Sequence, residues 1–382
     1  MSDLTANPIA VPEADLEDLR DRLRRTRWPE RETVDDWSQG IPLDYVRELC
    51  ATWADTYDWR RVESELNGYE QLRFVPEAGA PDRLGIQVLH APSPEPDALP
   101  VVFTHGWPGS VVEFLDAIEP LRDPRRHGGD AADAIHVVCP TLPGYGFSDK
   151  PTAPGWNVER IADAWAELMA ALGYERFGAQ GGDWGSAVTT CIGLQHADRC
   201  VGIHLNMVTV GPGSDGGELT PMEQAALASL THYQQWDSGY STQQATRPQT
   251  LGYGLVDSPA GQAAWVLEKF WSWADHGGHP ENVFSRDRLL DNVMHYWLPG
   301  AGASSGRLYW ESFRSRREGE VTVPSGMSVF PKEIFRASRR WAERRYTDIR
   351  HWNELDVGGH FAAFEQPATF VDEVRTFFST VR

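Results

Sequence analysis

The sequence predicts an α/β architecture: a mostly parallel central sheet, interrupted by a helical insertion and preceded by a helical N-terminal segment. Three observations carry this. From Arg83 onward, short apolar runs bounded by turn residues alternate with helical periodicities, the pattern of a sheet buried on both faces. After Asn206 the strand runs disappear and helical spacings take over until Val321. Between a predicted strand and a predicted helix, Gly181-Gly182-Asp183-Trp184-Gly185 has the glycine spacing of a tight turn that projects its central side chain.

Each element follows from its residues. Leucines at 16, 19 and 23 with charges between them predict a helix over Pro12 to Arg25, with Pro12 in its first turn and Trp28-Pro29 ending it. Residues 38 to 80 have weak periodicity and predict short helices and turns without evident chemistry. Leu84 to Leu89, Pro100 to Thr104 and Ile135 to Cys139 predict buried strands. Asn157 caps a helix that runs through Ile161, Ala164, Trp165, Leu168 and Met169 to Gly173. Phe177 to Gln180 predicts a strand, Trp184 to His196 a helix and Cys200 to Leu205 the next strand. Within the insertion, Ala263, Val266, Leu267, Phe270, Trp271 and Ala274 fall at helical spacing. Val321 to Phe330 and Thr347 to Glu354 restore strands, and Pro367 to Val381 predicts a closing helix.

Composition excludes several classes of partner. The 382 residues carry 55 acidic against 35 basic side chains, and a net charge of −20 repels nucleic acid and anionic membranes. Cys50, Cys139, Cys191 and Cys200 form no C-x-x-C pair, which suits a reducing compartment. The N-terminus is polar and acidic, with no signal-like apolar stretch behind a basic one, so a cytoplasmic protein is expected. Gly211 to Gly216 matches G-x-G-x-x-G, but Pro212 and the lack of an immediately following helix predict a loop and no dinucleotide cofactor. His276-Gly277-Gly278-His279 precedes Pro280 and predicts a turn before a helix starting near Ser285. No third ligand accompanies the pair, so no metal is expected. Trp265, Phe270, Trp271 and Trp273 read as packing, with some of them within reach of a pocket.

The chemistry begins at Asp183. A serine at such an elbow attacks acyl carbon, and on sp3 carbon it would leave an ether that no hydrolytic site readily cleaves. A carboxylate instead leaves an alkyl ester, whose carbonyl an activated water can attack. A helix N-terminus also favours negative charge at this place. His105-Gly106-Trp107-Pro108-Gly109-Ser110 follows the strand ending at Thr104. In an α/β-hydrolase arrangement this loop and the residue after the nucleophile supply oxyanion-hole amides, here those of Trp107 and Trp184. Among 12 histidines, His360 alone lies in a glycine-rich turn between the last strand and the last helix, and it is the candidate base. Glu333, in Phe330-Pro331-Lys332-Glu333, stands where an orienting acid belongs. Glu354 and Asp356 are rival carboxylates, but their closeness to His360 in sequence suits the supporting loop.

In this order, HGWPGS, GGDWGS, FPKE and GGHFAAFE resemble the microsomal-type epoxide hydrolases, which include the juvenile-hormone enzymes and soluble bacterial relatives. The resemblance spans nearly the whole chain and implies an α/β-hydrolase fold with no cofactor and no metal. It divides the chain into an N-terminal segment over 1–95 that wraps core and cap, a first core part over 96–210, a helical cap over 211–318 and a second core part over 319–382. It further implies two cap tyrosines that bind and protonate the epoxide oxygen: Tyr240 in Asp237-Ser238-Gly239-Tyr240 and Tyr309 in Gly306-Arg307-Leu308-Tyr309. Mammalian members carry a membrane anchor ahead of this segment, and the chain begins without one, which implies a soluble form. The implied partners are a small epoxide, bulkier or aryl given the aromatic cap, and water, with a homodimer left open. Relatives serve both catabolic and natural-product pathways, antibiotic biosynthesis among them. The rival enzyme is a haloalkane or haloacid dehalogenase, which uses the same nucleophile but needs N–H donors for a halide. A non-catalytic hydrolase-like binding protein is the third reading.

Overall fold

A computed structural model describes residues 3–77, 83–213, 217–315 and 318–382. Nine strands form one sheet: β1 (Asp3–Ala6), β2 (Glu70–Val75), β3 (Ile86–Ala91), β4 (Leu99–Thr104), β5 (Ile135–Pro140), β6 (Phe177–Gly181), β7 (Cys200–Leu205), β8 (Ser325–Val329) and β9 (Ile349–Glu354). Their spatial order is β1-β2-β3-β5-β4-β6-β7-β8-β9. Pairing is antiparallel from β1 to β5 and parallel from β5 to β9, the sheet of an α/β-hydrolase fold.

β1 and β2 correct the sequence reading, which placed no strand before Leu84. Neither has a clean alternation: β1 is exposed except for one half-buried residue, and β2 reads exposed, buried, half-buried, half-buried, buried, half-buried. β2 pairs with β3, which is buried at every residue, and β1 pairs with β2, so the edge is extended by pairing rather than by the edge strands' own apolar content. Pro12 stands just outside the first helix, Glu13–Arg24, as its N-cap.

The helix Val158–Ala171 is bounded as its residues dictate. Asn157 Oδ1 accepts from the Arg160 amide at 3.0 Å, and Gly173 takes φ +85° at the exit. The cap follows β7 as the helices Pro221–His232, Gly239–Thr246, Pro248–Asp257, Pro259–Trp273, Arg286–Trp297 and Ser304–Ser312, with one π-turn over Tyr233–Asp237. In Pro259–Trp273 the buried apolar face is Ala263, Val266, Leu267, Phe270 and Trp273. Trp271 lies only half-buried, stacked on Trp37 at 5.2 Å.

N-terminal helices Leu43–Asp55 and Trp59–Leu66 pack on the cap helix Arg286–Trp297. Buried Asp291 accepts from Tyr57 Oη at 2.7 Å and from Arg61 Nη2 at 2.6 Å, and Trp53 Nε1 reaches Met294 Sδ at 3.2 Å. Gly211–Gly213 is irregular, and the remainder of that glycine motif, Ser214 to Gly216, lies outside the described residues. Among the described residues no helix is long and apolar enough to cross a membrane.

Candidate active site

β6 ends at Gly181, and the helix Asp183–Gln195 starts two residues later. Within that turn Asp183 has φ +46°, the only positive φ of a non-glycine among the described residues. Such a conformation costs an L-residue about 1–2 kcal/mol and persists only when the surroundings enforce it. The enforcement is backbone packing. A Cβ on Gly181 would lie 2.2 Å from the Gly185 carbonyl, and one on Gly185 would lie 1.8 Å from the Thr104 carbonyl oxygen at the end of β4. The motif's two glycines therefore press the elbow against the sheet edge and lift Asp183 out of it. Gly106 serves the same approach, since its Cβ would meet Asp183 Oδ1 at 2.3 Å.

Asp183 Oδ1 accepts from the Trp107 amide at 2.8 Å. The Trp184 amide sits in the first helical turn and has no intrahelical acceptor. The Trp107-Pro108 bond is cis. Asp183 Oδ2 lies 3.5 Å from His360 Nε2, an ion-pair distance, and His360 Nδ1 lies 2.7 Å from Glu333 Oε1. A parallel bridge between Lys332 and Gly359 sets the next residues, Glu333 and His360, side by side. The His360 amide donates to the Trp273 carbonyl at 3.0 Å, which ties the histidine turn to the cap. Glu354 and Asp356 are exposed, and Glu354 accepts from Trp352 Nε1. Burial alone would push the His360 imidazole down. The negative charge of Glu333 and the contacts with Asp183 and Glu333 outweigh it, and hold the imidazole well above its ordinary value.

Across from Asp183 the cap supplies a wall of rings. Tyr240 stacks on Trp107 at 4.7 Å, and Tyr309 meets Trp184 edge-on at 4.8 Å. Trp273 lies 5.1 Å from Tyr240 and 4.9 Å from His360, so one member of the aromatic stripe does reach the site. Burial pushes both phenols well above their ordinary range, with the charge of Asp183 adding to it, so each keeps its proton. Tyr240 Oη pairs with Tyr233 Oη at 3.0 Å. Tyr309 Oη is close enough to ease the ionisation of Tyr240 but has no partner in hydrogen-bond geometry. A cavity of about 240 Å³ separates these phenols from Asp183 and is completed by Met207, Phe313, Ile334 and Phe335. A larger groove of about 700 Å³, around Trp156 and Arg307, does not touch Asp183.

The two histidines of His276–His279 point into their own turn. His276 Nδ1 accepts from the Gly278 amide and His279 Nδ1 from the Glu281 amide, and no cluster suited to a metal ion occurs among the described residues.

Comparison with known proteins places this arrangement in a family. The family model described as "Epoxide hydrolase N terminus" matches residues 4–114, and that described as "alpha/beta hydrolase fold" matches 100–240. Epoxide hydrolase 1 of Sus scrofa is 32% identical over 98% of this chain and 89% of its own length. The chain belongs to the epoxide hydrolase family. A Stigmatella aurantiaca protein provisionally named an epoxide hydrolase is 53% identical over 99% of this chain and 86% of its own length. The crystal structure of the juvenile hormone epoxide hydrolase from the silkworm Bombyx mori superposes with a TM-score of 0.91 at 28% identity, covering 100% of this chain and 95% of that one.

Several residues of this epoxide hydrolase's site escaped the sequence reading. Tyr233 is one: it stands seven residues before Tyr240, a two-turn helical spacing that was the available signal, and the π-turn that it opens sets its hydroxyl against that of Tyr240. Two carboxyls, the half-buried Glu113 and the buried Glu365, are others. Burial raises Glu113 to about 8 and Glu365 to about 7. Glu365 lies inside a motif already singled out, five residues after His360, and Glu113 lies three residues beyond another, but nothing local marks either carboxyl as shifted.

Proposed function

We propose that this enzyme converts an epoxide and water to a vicinal diol through an ester on Asp183, with Tyr240 and Tyr309 as proton donors, His360 as base and Glu333 as its orienting acid. The single observation that carries this reading is a carboxylate on a strained elbow facing two protonated phenols across an apolar cavity. In the first half-reaction an Asp183 oxygen attacks a ring carbon, the oxirane C–O bond breaks, and the ring oxygen takes a phenolic proton. Forming the ester removes the Asp183 charge, one of the influences that keep the imidazole protonated. His360 then gives up a proton, which restores the phenol that protonated the alkoxide, and the neutral imidazole becomes a base.

In the second half-reaction neutral His360 accepts a proton from water while the water oxygen adds to the ester carbonyl. The Trp107 and Trp184 amides hold the resulting oxyanion. Collapse breaks the ester C–O bond, the diol leaves with a proton, and the Asp183 carboxylate and the imidazolium return. Glu333 keeps Nδ1 protonated, so that Nε2 faces the chemistry. The aromatic lining favours a bulky or aryl epoxide over a short aliphatic one.

The division at residues 95, 210 and 318 belongs to the same reading, as does a cytoplasmic location, supported by four buried cysteines that form no disulfide. A single turnover in 18O-labelled water tests the covalent step. Label is expected in the peptide that contains Asp183, and label in the diol alone, or release of halide from a haloalkane faster than any diol forms, refutes it.

A further inference from the structure

A second cavity lies on the core side of the nucleophile. It measures about 20 Å³, and Asp183 is the one residue that it shares with the cap-side cavity. A void of this size holds about one water, provided that polar partners line it. Here they are His360, Gln180, Asn206 and the carboxyl of Glu113. Gly109 makes room for that carboxyl: a Cβ there would fall 1.4 Å from Glu113 Oε1. Nothing in the two half-reactions above uses Glu113.

We propose that this void is the seat of the hydrolytic water, and that Glu113 is the residue that positions it. The inference rests on the ester reading. The water directs one hydrogen to His360 Nε2 and the other to a Glu113 oxygen, which leaves a lone pair for the carbonyl carbon of the Asp183 ester. As the C–O bond forms, the first proton passes to His360. The second stays on the attacking oxygen while that bond forms, held by Glu113, and on collapse passes to the departing diol oxygen, so that Asp183 returns as the carboxylate and no further reactant is needed. Glu113 acts here through hydrogen bonding rather than charge. Burial, with the Asp183 charge adding to it and His360 opposing it, sets the carboxyl near 8, so at neutral pH it is a neutral acid whose carbonyl oxygen accepts. Of the groups that face it, Asp183 and His360 belong to the reaction and Glu365 lies beyond them.

A simpler role competes. Ser110 and Glu113 have the spacing of a capping box, Ser110 Oγ accepts from the Val112 amide at 3.3 Å, and the Ser110 amide supports the Glu113 carboxyl. A cap occupies one carboxyl oxygen and leaves the other, and the water-sized void beside it, unexplained. The two roles separate by half-reaction, because a merely structural defect in this loop would also move Trp107 and slow ester formation.

The experiment is a single turnover of styrene oxide followed by quench-flow and intact-protein mass spectrometry, on the wild type and on Glu113→Leu, Glu113→Gln and Ser110→Ala. Glu113→Leu is expected to form the adduct within about threefold of the wild-type rate and to hydrolyse it about 30-fold more slowly, the loss of one hydrogen bond to the reacting water. Glu113→Gln keeps a carbonyl acceptor of the same shape and should hydrolyse within about fivefold, and Ser110→Ala within about threefold. The inference is overturned if Glu113→Leu hydrolyses the adduct at the wild-type rate, if adduct formation slows as much as hydrolysis, or if Ser110→Ala matches Glu113→Leu. A wild type that makes diol without labelling Asp183 in 18O water would instead overturn the ester reading beneath it.

Discussion

Replacing Tyr309 by Phe should make the protein more stable and less active at once. Tyr309 Oη is buried and makes no hydrogen bond in good geometry to another protein group, so removing it leaves no protein donor or acceptor unpaired. A buried hydroxyl without a protein partner contributes little to the folded state, and the variant should gain up to about 1 kcal/mol. Tyr240→Phe has the opposite sign. It breaks the 3.0 Å pair with Tyr233, whose hydroxyl retains only the longer 3.4 Å contact with Ser241 Oγ, and should cost about 1 kcal/mol. For catalysis the two variants agree. A donor to a developing oxyanion contributes about 1.5–3 kcal/mol, so each change should slow ester formation by roughly 10- to 150-fold and the double variant by more than either. Urea denaturation midpoints at constant m report the stability, and stopped-flow tryptophan fluorescence with styrene oxide reports ester formation. The reasoning fails if Tyr309→Phe is destabilised by more than Tyr240→Phe, or if the double variant opens epoxide at nearly the wild-type rate.

The two half-reactions should fail separately. His360→Gln is expected to form the ester and stall, visible as an adduct of the substrate's mass on the intact protein, whereas an unmodified inactive protein would show that His360 acts earlier. Glu333→Gln should slow hydrolysis of the adduct by about 10- to 100-fold, less than His360→Gln, and Asp356→Asn should leave it unchanged within about twofold. The raised imidazole has a signed consequence for stability: its contribution is complete below the unfolded value near 6.5 and is lost as pH rises through the higher folded value. Asp183→Asn should bring the His360 titration measured by NMR down toward 6.5 and shrink the alkaline loss of stability. Gly185→Ala forces a Cβ to within 1.8 Å of a backbone oxygen, and should cost about 3 kcal/mol or abolish folding, measured by thermal denaturation.

Much of the architecture was legible because burial on both faces leaves a strong trace. Ile135 to Cys139 and Cys200 to Leu205 are apolar or small over most of their length and flanked by turn residues, and each is a strand within a residue of its expected bounds. Asn157 and Gly173 mark the ends of one helix through local capping chemistry, which needs no distant partner. The elbow was legible for a related reason: glycines at 181 and 185 with a carboxylate between them specify a turn and a reactive group within five residues.

Other features depend on contacts across the chain. β2 exists because β3 offers it an edge, and β1 because β2 then offers the next, and their own residues do not say so. Glu333 meets His360, while the nearer Asp356 faces solvent, because β8 and β9 run parallel and the Lys332–Gly359 bridge aligns the two loops. The unpaired hydroxyl of Tyr309, the raised pKa values of Glu113 and His360, and the water-sized void behind Asp183 arise from low dielectric, neighbouring charge and shape. Local sequence specifies which groups are present and how the backbone turns beside them. Desolvation and distance between charges depend on groups far apart in the chain, as Glu113, Asp183 and His360 are, and only packing brings those together.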